Sequence, residues 1–132
     1  MVNDQKTILC IEDDPDDMFL IRESISRLSD ITIECAKNGQ EALDTLGDRK
    51  ISKRLPSLIV IDISLPKLNG NKVIKAIQED DDLKNIPVVV FTTSINSFTY
   101  PLAEDRPIEV IAKPTGWKSY EGIAKRLLNF VS

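Results

Sequence analysis

The chain has 132 residues, 42% of them hydrophobic and 29% charged, which is the size and composition of one globular domain with a substantial core. A net charge of −4 carries no general nucleic-acid footprint, no apolar run approaches membrane-spanning length, and residues 1–6 show no signal-peptide pattern. Histidine is absent, which excludes a Ser-His-Asp triad, a Cys-His pair and an imidazole zinc site, and two cysteines cannot build a four-thiolate one.

The groups left in quantity are carboxylate, hydroxyl and lysine, which suit hard cations and phosphoryl groups. Residues 7–11 form the first expected strand, with Ile8, Leu9, Cys10 and Ile11 as an apolar run ending in Glu12, Asp13 and Asp14. Pro15 suits the first position of a helix and Asp14 its cap, while Asp16 and Asp17 in the first turn complement the helix dipole. Met18, Ile21, Ile25 and Leu28 follow at helical spacing, giving a helix to about Ser29.

Residues 31–35 alternate cleanly between apolar and polar, the pattern of a half-exposed strand at a sheet edge. Cys10 and Cys35 both fall in expected strands and read as small buried thiols of a reducing compartment. Asn38 and Gly39 make a turn, and residues 40–47 a second helix with Ala42, Leu43 and Leu46 on one face. Residues 48–57, with Arg49, Lys50, Lys53 and Arg54, read as a solvated connection.

Residues 58–61, Leu-Ile-Val-Ile, form the third strand and look covered on both faces. Asp62 is the first charge at its carboxyl end. Asn69 and Gly70 turn the chain into a third helix marked by Val73, Ile74 and Ile77. Residues 88–91 are a fourth, wholly apolar strand ending in Thr92. Between Pro101 and Pro107 there is room for only a short helix. Residues 108–112 are a fifth strand ending in Lys113, and Tyr120, Ile123, Ala124, Leu127, Leu128 and Val131 stripe a closing helix.

Five strands alternating with helices imply a parallel sheet with right-handed crossovers. Placing the apolar strands inside and the alternating one at an edge gives the order 2-1-3-4-5, a flavodoxin-like doubly wound (βα)5 α/β fold. The carboxyl ends of the strands then share one rim, carrying Glu12, Asp13, Asp62, Thr92 and Lys113. Crowded carboxylates repel, so a cation must hold them or their pKa values must rise. An all-oxygen set favours Mg²⁺ (or Mn²⁺). Lys113 and Thr92 suit phosphate oxygens, and the central Asp62 is placed as a carboxylate nucleophile.

Four motifs in order, ILCIEDDPDD, LIVIDISLPKLNG, IPVVVFTTS and VIAKP, sit at these strand ends. With them the chain resembles the receiver domain of two-component response regulators over essentially its whole length. The resemblance implies a single CheY-like receiver over residues 1–132 with no output domain, acting in the cytoplasm. It implies that Asp62 accepts a phosphoryl group from the phosphohistidine of a histidine kinase or phosphotransfer protein. Asp13 would bind Mg²⁺ directly, Glu12 through water, Asp62 as a further ligand and Ser64 through its backbone carbonyl. Thr92 and Lys113 would contact the phosphoryl group, the Lys113–Pro114 peptide would be cis, and Pro66 and Gly70 would shape the turn after Asp62. A chain without histidine cannot be its own phosphohistidine donor, so the donor acts in trans.

Two positions depart from the family pattern. Val110 stands where many members carry a rotating aromatic ring, and the segment between Thr92 and Lys113 lacks the usual long helix. The switch is therefore expected in the backbone after the fourth strand, within residues 93–106, and is expected to act on a downstream protein target. The expected product is a signalling protein that uses neither nucleic acid nor membrane and is not a conventional enzyme. A Mg-dependent phosphohydrolase with an Asp nucleophile would want a second acid two residues after Asp62, where this chain has Ser64. A pseudo-receiver that binds partners without phosphorylation would be expected to lack site residues that are all present here.

Overall fold

The structure, a computed structural model, describes residues 6–63, 65, 69–93 and 108–131, with the side chain of Trp117 left aside. Five parallel strands, β1 (Thr7–Ile11), β2 (Thr32–Ala36), β3 (Leu58–Ile61), β4 (Val88–Thr92) and β5 (Ile108–Ala112), form one sheet in the order β2-β1-β3-β4-β5. Four α-helices are described, α1 (Pro15–Ser26), α2 (Gly39–Ser52), α3 (Gly70–Glu79) and α4 (Tyr120–Asn129), the last preceded by a 3-10 turn at Trp117–Ser119. The flavodoxin-like order and the edge position of β2 agree with the sequence reading.

Period-two alternation divides each strand between two cores. Leu9, Ile11, Ile59, Ile61, Val88 and Val90 pack with Ala42 and Leu46 of α2 and Val73, Ile74 and Ile77 of α3. Ile8, Cys10, Leu58, Val60, Val89 and Phe91 pack on the other face with Met18, Ile21 and Ile25 of α1 and Tyr120, Ala124 and Leu127 of α4. Both faces of β3 and β4 are therefore covered, which is why those strands read as unbroken apolar runs.

Side-chain caps start the helices where the sequence places them. Asp14 accepts hydrogen bonds from the backbone N–H groups of Asp16 (2.8 Å) and Asp17 (3.3 Å). Asn38 caps α2 through Glu41 N–H at 2.8 Å, and Asn69 caps α3 through Asn71 N–H at 2.7 Å. Asn38 and Asn69 are thus caps, each followed directly by a helix-opening glycine.

Several expectations need correction. Helix α1 ends at Ser26, short of the expected Ser29. Helix α2 runs to Ser52, so half of the expected 48–57 connection is helical. Gly47 costs that helix about 1 kcal/mol relative to alanine. The cost is offset by Leu46 in the core and by ion pairs from Arg49 to Glu34 and from Lys50 to Asp80. Arg49 and Lys50 are therefore paired rather than simply solvated. Lys53, with φ 60°, ends the helix in the left-handed region. Cys10 is buried, but Cys35 is exposed: it lies opposite Cys10 in register on the edge strand, and both thiols are free. The Lys113–Pro114 peptide is trans, an isomer that X-Pro bonds generally favour by only about 0.5–1 kcal/mol. Ser64, Pro66 and residues 94–107 lie outside the described residues, and with them the expected short helix and most of the expected switch segment.

Candidate functional site

The sheet's hydrogen bonding continues one residue past the strands on three of them. Glu12 N–H donates to Ala36 O (2.9 Å), Asp62 N–H to Ile11 O (3.1 Å) and Lys113 N–H to Thr92 O (3.0 Å). Pleat alternation then decides which way these residues face. Glu12 continues the register of Ile8 and Cys10, Asp62 that of Leu58 and Val60, and Lys113 that of Ile111, all on the α1/α4 side. Three charged side chains from strands distant in sequence thus converge over the start of α1.

The Lys113 ammonium is the centre of this cluster. Its Nζ lies 2.6 Å from Glu12 Oε1, 2.8 Å from Asp62 Oδ2 and 2.9 Å from Asp17 Oδ2. Three protons meet three carboxylates, so the donor capacity of the ammonium is used in full. The Lys113 side chain is 5% exposed, and those of Glu12 and Asp62 are 2% and 8% exposed. Burial alone would pull the pKa of Lys113 down, but hydrogen bonds to Asp17, Asp62 and Glu12 outweigh it and hold the ammonium firmly charged. Burial pushes Glu12 up to about 7, against the opposing pull of Lys113 and of the Asp14 N–H. The Phe91 ring lies under the ammonium, 6.0 Å from Nζ to its centroid.

The sequence alone places Asp17 only as a first-turn acid that suits the helix dipole. In the structure it also meets Lys113, and the Tyr120 hydroxyl stands 3.5 Å from its Oδ1. Burial, with the neighbouring Asp17 charge, raises the Tyr120 hydroxyl to about 12. Tyr120 in turn packs edge-on against Phe91 with ring centroids 5.8 Å apart. A sequence signal existed: an acid one residue before the apolar stripe of α1, on the helix that covers the Glu12 face.

Glu12, Asp13 and Asp62 each offer a carboxylate oxygen within 4.8 Å of the other two. Glu12 and Asp62 are buried and Asp13 is exposed, so the set opens toward solvent on one side. Hard oxygen donors at this spacing fit a small divalent cation such as Mg²⁺ or Mn²⁺ that keeps some of its waters. Thr92 is fully buried at the end of β4, in register with Ala112 beside Lys113.

Gly70 ties this site to α3. Its N–H donates to Ile63 O at 3.1 Å. A Cβ there would stand 2.4 Å from Ile63 Cα and 2.8 Å from Asp62 O. No positive φ is involved; the glycine is needed because backbone meets backbone directly after Asp62. Gly70→Ala should therefore lower stability by about 1–3 kcal/mol, read as a fall in urea midpoint at unchanged m. An unchanged midpoint would mean that the backbone after Asp62 is free to move away.

The response regulator receiver domain family matches residues 8–117, a span holding the cluster from Glu12 to Lys113. Response regulator Rcp1 of Synechocystis sp. is 39% identical over 98 residues, 71% of this chain and 66% of Rcp1. Polar-differentiation response regulator DivK of Brucella anthropi is 37% identical over 87 residues, 66% of each protein. The matched stretch thus spans 66% of the length of both curated relatives. Among solved structures, the phosphorylated cyanobacterial phytochrome response regulator RcpA superposes with a TM-score of 0.83 at 31% identity, covering 96% of this chain and 94% of RcpA. The Mn²⁺-bound form of Rcp1 gives a TM-score of 0.74 at 29% identity, covering 96% of this chain and 97% of that one. The strand order, the acids and lysine at the strand ends and the extent of the match together show that the chain belongs to the response regulator receiver domain family.

Proposed function

We propose that the protein is a phosphoacceptor: Asp62 takes a phosphoryl group from the phosphohistidine of a histidine kinase or phosphotransfer protein, and the product switches contacts with a downstream protein. One observation carries this reading. Asp62 is a buried carboxylate held 2.8 Å from a buried ammonium and within 4.8 Å of two further acids.

An Asp62 oxygen attacks phosphorus, the P–N bond of the donor breaks, and the imidazole leaves with the bonding pair and takes a proton from solvent. Glu12, Asp13 and Asp62, with the Ser64 carbonyl, would hold Mg²⁺ (or Mn²⁺), which supplies charge neutralisation for the phosphoryl oxygens. Crystals of the relative Rcp1 have Mn²⁺ bound, and the acids here have the same hard-oxygen character. Lys113 pairs with a phosphoryl oxygen and Thr92 gives its hydroxyl to another. Ser64 leaves the protein without the second acid of an aspartate-based phosphohydrolase, which favours a signalling role over turnover of a substrate. No helix among the described residues is long and apolar enough to cross a membrane; we place the reaction in the cytoplasm, where phosphohistidine donors work.

Incubating the chain with a small acyl phosphate and Mg²⁺ should add the mass of one phosphoryl group, and a chelator should prevent it. Equal mass gain with and without chelator would contradict the metal's part in the reaction.

A further inference from the structure

We propose that Asp17 is a positioning residue that anchors the Lys113 ammonium through the phosphorylation cycle and links the site to α4 through Tyr120. The inference rests on the phosphoacceptor reading of Asp62. Its basis is a difference among the three carboxylates that hold Lys113. Glu12 and Asp62 also belong to the trio whose oxygens gather within 4.8 Å, and Asp17 does not.

Two of the three ammonium partners are thus groups that a divalent cation and the phosphoryl group themselves require. When Glu12 and Asp62 turn to those tasks, Lys113 gives up hydrogen bonds at 2.6 and 2.8 Å. The 2.9 Å contact to Asp17 Oδ2 is the one that makes no competing demand. Asp17 is itself held, because its backbone N–H donates to the Asp14 cap at 3.3 Å in the first turn of α1. It can therefore keep the ammonium beside Asp62 while the other partners change. Without it, Lys113 would either compete with the cation for Glu12 and Asp62 or swing out of line.

The second part follows from the other carboxylate oxygen. The Tyr120 hydroxyl stands 3.5 Å from Asp17 Oδ1, and Tyr120 is the first residue of α4. Helices α1 and α4 pack on the same face of the sheet. A shift of charge around Lys113 thus meets one carboxylate that touches both helices. This route to the α1/α4 face does not use Val110, which packs with the opposite core.

The test compares wild type, Asp17→Asn and Tyr120→Phe as full chains, with acyl phosphate and intact-mass readout across a Mg²⁺ titration. Asp17→Asn should require more Mg²⁺ and, at saturating Mg²⁺, should still phosphorylate about fivefold more slowly, the loss expected when a charge-assisted hydrogen bond becomes a neutral one. A purely structural role would shift the melting temperature without leaving a rate loss at saturating Mg²⁺ in the folded protein. Tyr120→Phe should phosphorylate at the wild-type rate but lose the phosphorylation-dependent chemical-shift changes along α4.

A measurement on wild type needs no variant. With Mg²⁺ and beryllofluoride bound, the scalar coupling from Lys113 Nζ to the Asp17 carboxylate carbon should persist while that to Asp62 disappears. A saturating rate for Asp17→Asn within about twofold of wild type, too small a change for the loss of the anchoring charge, would overturn the anchor. So would loss of the Asp17 coupling. Absence of any mass gain in wild type would instead overturn the phosphoacceptor reading beneath it.

Discussion

Asp62→Asn should fold and should gain no phosphoryl mass at any Mg²⁺ concentration. The amide keeps the volume of the buried side chain and can still accept a hydrogen bond from Lys113, which sits 2.8 Å away in the wild type. It has no anionic oxygen with which to attack phosphorus, so the loss is complete rather than graded. Folding is checked by a cooperative thermal transition. Beryllofluoride, which mimics an acyl phosphate, should likewise fail to bind the variant in a fluorine NMR titration. A full mass gain in Asp62→Asn would move the acceptor to Asp13 or Asp14 and would undo the assignment of roles along the rim.

Lys113→Met should be the most destabilising change at the site, by about 3–5 kcal/mol at pH 8 without metal. Methionine retains an unbranched stem, so the packing loss is small and the electrostatic loss dominates. The variant leaves Glu12, Asp17 and Asp62 without their shared ammonium, two of them nearly inaccessible to water. The sign of the pH dependence follows from Glu12, whose carboxyl is pushed up to about 7 by burial even with Lys113 beside it. Lys113 lowers that value, so its removal raises it further. The native variant then holds a proton that the unfolded chain releases above about pH 4.5, and stability falls as pH rises from there through and beyond 7. The penalty should be modest at pH 5, where Glu12 is protonated, and large at pH 8. Added Mg²⁺ should restore part of it, since one cation replaces another. Urea midpoints for both proteins at pH 5 and pH 8 test this. Equal midpoints at pH 8 would show that the acids do not depend on this ammonium.

How much of this was legible in the sequence differs from residue to residue. The cluster at the candidate site was legible because it lies at strand ends, and strand ends are visible as apolar runs meeting a first charge. Leu58–Ile61 followed by Asp62 is the clearest instance. The convergence of Glu12, Asp62 and Lys113 on one face was also implicit, since alternation continues one residue past each strand. Asp17 was legible only as a first-turn acid. Its place in the first turn of α1 is local, whereas its contact with Lys113 spans 96 positions and depends on how α1 lies across the sheet. The length of α2 was missed because Gly47 and four nearby cations resemble a loop. What holds Arg49 and Lys50 in a helix is acids on other elements, Glu34 and Asp80. Cys35 was misjudged because alternation tells which residues share a face but not how far α1 reaches over the edge strand.

The central claim is that Asp62 is the residue that carries the phosphoryl group, and trapping the adduct tests it most directly. Wild-type chain phosphorylated with acyl phosphate and Mg²⁺ is reduced with borohydride, which converts an aspartyl phosphate to homoserine, and is then mapped by peptide mass spectrometry. Homoserine at position 62 alone is the predicted result, and homoserine at position 13, 14 or 17 with aspartate intact at 62 would contradict it.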